Sequence, residues 1–201
     1  MKVNYEKQLQ EEVLKQVNLV KKTIDTVSMK IKINRWAKKF SFLEKDVRSK
    51  ILSDSMFACI FAKDPKKMNF YEKMASEYLT KNLTQFNNLA NNNLCYIVEG
   101  EVYEGQKIND LKTIDFKWTF KGIDCFASHK YIKADGGAQD NQYNDVRNSL
   151  KEAQNIDGIK FIAICDGPYF QRNNRLNRLK EEFENENVSV LTIEEMDVFF
   201  E

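Results

Sequence analysis

The sequence predicts an α/β (α+β) protein in which a mixed sheet is flanked by helices and preceded by a helical N-terminal region. Residues 3–60 contain no Gly or Pro, and their apolar residues recur at spacings of three and four, which is typical of amphipathic helices. From residue 94 onward, short β-rich segments alternate with helical patterns, and this order favours a mixed sheet covered by helices. With 201 residues, of which 42% are hydrophobic, the chain can form a sizeable core.

The elements after the N-terminal helices follow from local signals. Asp64-Pro65 fits an N-cap followed by the first helical position, and predicts a helix over residues 66–82. The polar residues 87–93 predict a loop, and Asp166-Gly167-Pro168 predicts a turn that ends a strand. The remaining patterns predict strands over 94–103, 113–120, 122–132, 160–165 and 188–193, and helices over 138–154, 175–186 and 194–200.

Charge is distributed unevenly along a chain whose net charge is only +1. Residues 1–63 carry 14 Lys and Arg against 7 Asp and Glu, whereas the other 138 residues carry 17 against 23. The densest basic stretch also contains Trp36, Phe40 and Phe42. Such a stretch is typical of a polyanion-binding surface and also of a solvated helical face. Its candidate polyanion contacts are Lys30, Lys32, Arg35, Lys38 and Lys39.

Several functional classes are excluded by what the sequence lacks. Its four cysteines lie at least 30 residues apart and it has one histidine, so a structural zinc site is not expected. The cysteines have apolar neighbours and are predicted to be buried in a reducing compartment. No membrane span or signal peptide is recognisable, so we expect a cytoplasmic protein without membrane association. Gly136-Gly137 lacks the rest of a nucleotide-binding loop, so no nucleotide cofactor is expected.

The segments around Lys121-Gly122 predict a β-hairpin with a defined register. If paired positions sum to about 243, Asp115 lies opposite Ser128. Side chains alternate along a strand, so Ser128 and Lys130 share one face and His129 lies on the other. An acid and a lysine together on a strand pair indicate either a functional site or a salt bridge on an exposed sheet edge.

These residues resemble the motif of the PD-(D/E)XK nucleases found in restriction endonucleases. Asp115 on one strand and Ser-His-Lys at 128–130 on the next match its acid and lysine positions. The segments KYIKADGGAQDNQYNDV, KFIAICDGPYF and VSVLTIEEM resemble the way several type IIS cleavage domains continue and finish. The helix FYEKMASEYL, with Glu72 and Glu77, resembles the acid-bearing helix that precedes the core. The resemblance covers roughly residues 64–201 and implies a restriction-endonuclease-like fold there.

The resemblance implies a role for each matching residue. Asp115 is the expected Mg²⁺ ligand, with Mn²⁺ as a substitute, and Lys130 acts on the attacking water and the phosphate. Ser128 stands where the family has a second acid. The missing carboxylate is expected from Glu72 or Glu77, or from the following helix at Asp140 or Asp145.

Gln139 and Tyr143 have the QxxxY spacing of RecB-like nucleases. Gln139 is therefore a further catalytic candidate, although an amide at a helix start and a core tyrosine explain the two residues equally well. Lys133, just after the motif, is a further candidate DNA contact.

The expected function is sequence-specific, Mg²⁺-dependent endonucleolytic cleavage of double-stranded DNA, as in a type II enzyme. Residues 1–63 are then the basic helical region for DNA binding or dimerisation, and residues 64–201 the nuclease-like core. The partner is a second copy of the chain or a larger subunit. Two alternatives remain open: a non-catalytic DNA-binding or assembly subunit that keeps the fold but lacks the acid at Ser128, and a helical scaffold protein.

Overall fold

The computed structural model describes residues 3–89, 94–98, 100–106 and 111–200. The chain divides into a helical unit, Asn4–Phe70, and a sheet unit that consists mainly of Tyr71–Glu201. Composition had put this boundary between residues 63 and 64. The mixed α and β content confirms the predicted class. No helix in the described ranges has the length and apolar character needed to cross a membrane.

The helical unit contains four α-helices and a 3-10 turn. Their bounds are α1 Tyr5–Lys22, α2 Val27–Phe40, α3 Glu44–Ser53 and α4 Ser55–Cys59, followed by the 3-10 turn Pro65–Met68. Side chains of Asn4, Thr26 and Asp54 accept hydrogen bonds from the first backbone N–H groups of α1, α2 and α4. Apolar positions three and four residues apart form the core of this unit, with Val17, Val20, Ile33, Ala37, Ile51 and Phe61 among its buried members.

The helix predicted over residues 66–82 is interrupted, which corrects the sequence prediction. Asp64 accepts a hydrogen bond from the Lys66 N–H at 3.0 Å and Pro65 takes the first helical position, as expected. This first piece ends after one 3-10 turn because Asn69 adopts a left-handed conformation with φ of 53°. The α-helix proper, α5, then runs over Phe70–Asn82.

The sheet unit is built on a five-stranded mixed sheet. Its further elements in chain order are β1 Asn87–Asn88, β2 Cys95–Val98, β3 Glu101–Glu104, β4 Phe116–Phe120, β5 Ile123–Tyr131, α6 Gly137–Ala153, β6 Ile159–Asp166, α7 Pro168–Gln171, α8 Arg175–Phe183 and β7 Val188–Leu191. The sheet order is β1-β4-β5-β6-β7. The pairs β1–β4 and β4–β5 are antiparallel, and β5–β6 and β6–β7 are parallel. The parallel pairs are connected through α6 and α8, as the alternating pattern predicted.

Three local predictions are corrected. The single strand predicted over residues 94–103 is replaced by the hairpin β2–β3, because Gly100 adopts a left-handed φ of 79° where the chain reverses. Within the expected loop, Asn87–Asn88 pair with β4 as a short edge strand. The last helical segment, Ile193–Phe199, is a 3-10 helix.

Helices α6 and α8 pack on the sheet and form its core. Phe126, Phe161 and Ala163 from the strands meet Leu150 of α6 and Leu179 of α8 in one buried cluster. Strand β6 is buried along most of its length, as its continuous apolar run predicted. All four cysteines are free thiols, and three of them are buried. Cys59 is exposed, against prediction, because it ends the short helix α4 on its outward side.

Candidate active site

The β4–β5 hairpin has the predicted register. Lys121 and Gly122 both adopt positive φ, 50° and 82°, which gives the tight two-residue turn that the predicted register requires. Phe116 pairs with Ala127, so paired positions sum to 243 and Asp115 comes next, opposite Ser128. The register therefore brings Asp115 to the end of the strand pair at which Lys130 also lies.

The carboxylate of Asp115 is held by the backbone of the neighbouring strand. Its Oδ2 accepts a hydrogen bond from the His129 N–H at 2.7 Å, and its own N–H donates to the Ala127 carbonyl at 3.0 Å. Burial raises the pKa of Asp115, while the positive charge of Lys130 and the hydrogen bond from the His129 N–H oppose that shift. Asp115 is thus a fixed, desolvated acid next to a lysine.

Glu72 joins this site from helix α5. The preceding Tyr71 stacks on Tyr131 at the end of β5, with ring centroids 3.8 Å apart, and this contact fixes the first turn of the helix. Burial and the negative charge of Asp115 both raise the pKa of Glu72, while the charges of His129 and Lys130 lower it. Glu72 and Asp115, called the acid pair below, therefore lie within electrostatic reach of each other and of Lys130.

The other predicted acid on α5 lies elsewhere. Glu77 is exposed, and its carboxylate lies 3.9 Å from the ammonium of Lys73, one helical turn earlier. Such surface pairs contribute little to stability. Of the two candidates on α5, only Glu72 interacts with Asp115.

Ser128 and Lys130 face helix α6, on the opposite side of β5 from the His129 side chain. Both line a small cleft together with Asp145, whose carboxylate lies 3.2 Å from the ammonium of Lys112. A larger adjoining cleft of about 220 Å³ is also lined by Ser128 and Asp145. Asp145 is therefore the candidate acid that shares both clefts with the serine, whereas Glu72 is the one coupled to Asp115.

Gln139 and Tyr143, the QxxxY residues, make contacts that stabilise the fold. The Gln139 side chain lies over the backbone at Gly136, where it would be only 2.7 Å from an added Cβ. Tyr143 packs against Tyr169 and Phe170 in the core, with ring centroids 6.1 and 6.2 Å away. These contacts match the alternative of a helix-start amide and a core tyrosine.

Asp140 is already engaged with the phenol of Tyr169. Its Oδ1 accepts a hydrogen bond from the Tyr169 hydroxyl at 2.6 Å. Burial and this hydrogen bond raise the pKa of Tyr169 to about 12. Asp140, one of the four candidates for the missing acid, is therefore already hydrogen-bonded to a residue of α7.

A buried polar pair escaped the sequence analysis. The His129 Nε2 lies 3.0 Å from Asp166 Oδ2, and Asp166 Oδ1 accepts a hydrogen bond from the Ile193 N–H at 3.0 Å. Both side chains are almost fully buried, with exposed fractions of 4% and 5%. The pair anchors β5 on the face opposite Lys130, at the residue whose N–H holds Asp115. The only signal in the sequence was the position of two residues on neighbouring strands: the lone histidine, His129, and Asp166, the last residue of a buried strand.

The basic candidates of α2 are all exposed, but they are not equivalent. Lys32 donates a hydrogen bond from its ammonium to the Phe61 carbonyl at 2.5 Å, so its charge helps to close the helical unit. Arg35, Lys38 and Lys39, called the α2 basic face below, make no ion pair with any described residue. Lys133 is exposed in the sheet unit, just after β5.

The acid pair is the part of the described chain best suited to a hard cation. No group of three or more His, Cys, Asp or Glu side chains suited to a metal ion occurs within the described ranges. Mg²⁺ does not require one, since it is commonly bound by one or two carboxylates together with substrate phosphate and water. Two desolvated carboxylates in mutual reach fit such an ion, because its charge relieves their repulsion.

Comparison with protein-family models finds no match for this chain, and neither the curated proteins nor the solved structures yield one. The resemblance to PD-(D/E)XK nucleases therefore rests on the order of the elements and on residues 70–79, 115, 128–146, 160–170 and 188–196. Membership in that family remains a prediction.

Proposed function

We propose that this protein is a Mg²⁺-dependent DNA endonuclease that hydrolyses phosphodiester bonds at the acid pair and Lys130. The observation that carries the proposal is the position of Glu72. Its pKa responds to the charges of both Asp115 and Lys130, so α5 supplies a second carboxylate within electrostatic reach of the hairpin's acid and lysine. A nuclease site of this type needs two acids and a cation on one side of the scissile phosphate.

The residues of the chain have separate tasks in this proposal. Glu72 and Asp115 hold Mg²⁺, for which Mn²⁺ can substitute, and the ion supplies neutralisation of the phosphate and a lower pKa for the attacking water. The His129 N–H fixes the orientation of the Asp115 carboxylate. Lys130 orients the water and stabilises the negative charge that develops on the phosphate.

The pH dependence of this site follows from the raised pKa values. Both acids must be deprotonated to bind a cation, and burial shifts the pKa of each upward. Cation binding is therefore expected to strengthen as pH rises through those shifted values.

The proposed substrate is double-stranded DNA, cut at specific sites as in the restriction type. The α2 basic face supports this choice, because its three charges are not neutralised by any described acid. Cutting both strands requires a second active site, supplied by another copy of the chain or by a larger subunit. The cytoplasm is the proposed compartment.

A non-catalytic DNA-binding or assembly subunit is the second candidate. Two observations favour it: the serine at position 128 and the lack of a third potential ligand beside the acid pair among the described residues. Such a protein keeps the fold and its DNA contacts but does not cleave.

Plasmid cleavage in the presence of Mg²⁺ tests the proposal. Asp115→Asn and Lys130→Ala are expected to lower the rate of nicking at least about 100-fold, since each removes charge that acts on the transition state. Asp124→Asn is the matched control, because Asp124 lies on the same hairpin and pairs with Lys117 at 3.2 Å. Cleavage by both site variants at the parental rate would make the site assignment wrong. A wild-type protein that binds DNA but never cuts it supports the second candidate.

A further inference from the structure

The helical unit exposes more large apolar side chains than the described part of the sheet unit does. Of the fifteen large hydrophobic residues that are exposed in the described part of the chain, eleven lie within Asn4–Phe70. Two of them are aromatic: Phe40, 48% exposed, and Phe42, 57% exposed. Concentrated exposed apolar surface of this kind marks a binding site more often than chance exposure does.

The aromatic residues of this surface form a stack beside an open cleft. The rings of Trp36 and Phe42 are nearly parallel, at an angle of 15° with centroids 5.7 Å apart, while Phe57 meets the Trp36 ring edge-on at 5.4 Å. These three residues, with Val47, Asp46 and Lys50, line a cleft of about 350 Å³. A flat ring that enters it can continue the stack that Phe42 ends.

Positive charge borders the same cleft. Lys50 lines it, and Lys39 holds its ammonium 5.3 Å from the centroid of Phe40. The α2 basic face continues from there along the helix that carries Trp36. Lys50 is already paired with Asp54 at 3.1 Å, whereas the α2 basic face, which includes Lys39, makes no ion pair with a described acid. The α2 basic face is therefore the part of this border that is available to an anionic backbone.

We propose that this aromatic cleft binds unpaired bases of single-stranded nucleic acid, with the neighbouring cations holding its phosphates. Stacked aromatic rings beside a basic strip are the combination with which proteins bind single strands without sequence preference. The bases of a duplex are stacked on each other and cannot enter such a cleft. The site therefore recognises a frayed, nicked or displaced strand, and its binding does not depend on cleavage at the acid pair.

A competing occupant is an acidic amphipathic protein segment, which would also match apolar surface with a basic border. The two occupants differ in what they require of position 42. A base needs the flat face of a ring, whereas a protein segment needs only apolar volume. Substitutions that separate ring from volume therefore distinguish them.

The test measures the affinity for a fluorescein-labelled 20-mer of deoxythymidine and for a labelled 20-base-pair duplex, by fluorescence anisotropy. Phe42→Ala is expected to weaken binding of the single strand by about 5- to 150-fold, which corresponds to one lost stacking contact of about 1–3 kcal/mol. Binding of the duplex is expected to change less than about twofold. Single-strand binding should also quench Trp36, since the other tryptophan, Trp118, is buried in the sheet unit.

Three further variants decide between the occupants. Phe42→Leu should lose as much single-strand affinity as Phe42→Ala, and Phe42→Trp should retain it. Leu19→Ala is the matched control, because Leu19 is 49% exposed on α1 and does not line the cleft. Full single-strand affinity in Phe42→Leu, or an equal loss for duplex and single strand in Phe42→Ala, overturns the proposal. Thermal melts monitored by circular dichroism verify that each variant is folded.

Discussion

Replacing Glu72 by Gln removes one charge of the acid pair and keeps the size of the side chain. Because burial and the charge of Asp115 raise the pKa of Glu72, the folded state binds more protons than the unfolded state above the ordinary glutamate pKa. Its contribution to stability is therefore greatest below that ordinary pKa and is lost as pH rises through the raised value. Without a divalent cation at pH 8, Glu72→Gln should be more stable than the wild type.

Addition of Ca²⁺ should stabilise the wild type more than it stabilises Glu72→Gln. At a concentration one hundred times the wild-type Kd, bound Ca²⁺ stabilises the folded state by about 2.7 kcal/mol. Loss of a direct carboxylate ligand should raise Kd at least as much as loss of an outer-shell partner, by about 10- to 100-fold. The variant then gains only about 0.4–1.4 kcal/mol at the same concentration. The difference of about 1.3–2.3 kcal/mol corresponds to a melting temperature increment smaller by about 3–9 °C.

Thermal melts with and without Ca²⁺ measure both effects, and Asp145→Asn serves as the control. Asp145 pairs with Lys112 at 3.2 Å across partly exposed side chains, so its removal should cost about 0.2–1 kcal/mol with or without the ion. If Asp145→Asn loses the Ca²⁺ increment and Glu72→Gln keeps it, the second acid comes from α6. If both variants keep the full increment, the reasoning about the acid pair is refuted.

Three other perturbations test parts of the molecule separately. Asp166→Ala breaks the buried contacts with His129 and the Ile193 N–H. It should lower the free energy of unfolding by about 3–5 kcal/mol in urea titrations, and a loss below about 1 kcal/mol would contradict the anchoring role. Gly167→Ala puts a Cβ 2.4 Å from the Ile132 carbonyl oxygen, at a residue whose φ is 99°. Urea titrations should show that the free energy of unfolding falls by at least about 2 kcal/mol, and an unchanged midpoint would disprove the clash. Neutralising the α2 basic face should reduce the slope of log affinity for duplex DNA against log salt by about 2.7. An unchanged slope would show that these residues are solvated surface without DNA contacts.

The hairpin was predictable because its determinants are local. Lys121-Gly122 fixed the turn, the turn fixed the register, and the alternation of side chains then assigned Ser128 and Lys130 to one face. The break at Asn69 was harder to predict, because asparagine occurs both within helices and in the left-handed conformation that ends them. The hairpin β2–β3 had a signal in Gly100, which the apolar pattern around it outweighed.

The contacts between distant elements were not accessible from the sequence. Glu72, Glu77, Asp140 and Asp145 were equivalent candidates, because nothing local states which helix face meets the end of β5. The stack of Tyr71 on Tyr131 provides that information, and it joins residues sixty positions apart. The pair of His129 with Asp166 was missed for the same reason, since it requires the parallel register of β5 against β6.

The origin of the acid pair on two separate elements has a consequence for the order of folding. Asp115 and the His129 N–H are only 14 residues apart, and hairpins of that kind close within microseconds. Glu72 joins the site only when α5 packs against the end of β5, which requires closure of a longer loop and is therefore slower. A refolding chain that forms the hairpin first holds one carboxylate of the acid pair before α5 supplies the second. Stopped-flow uptake of a divalent ion would time the docking of α5 directly.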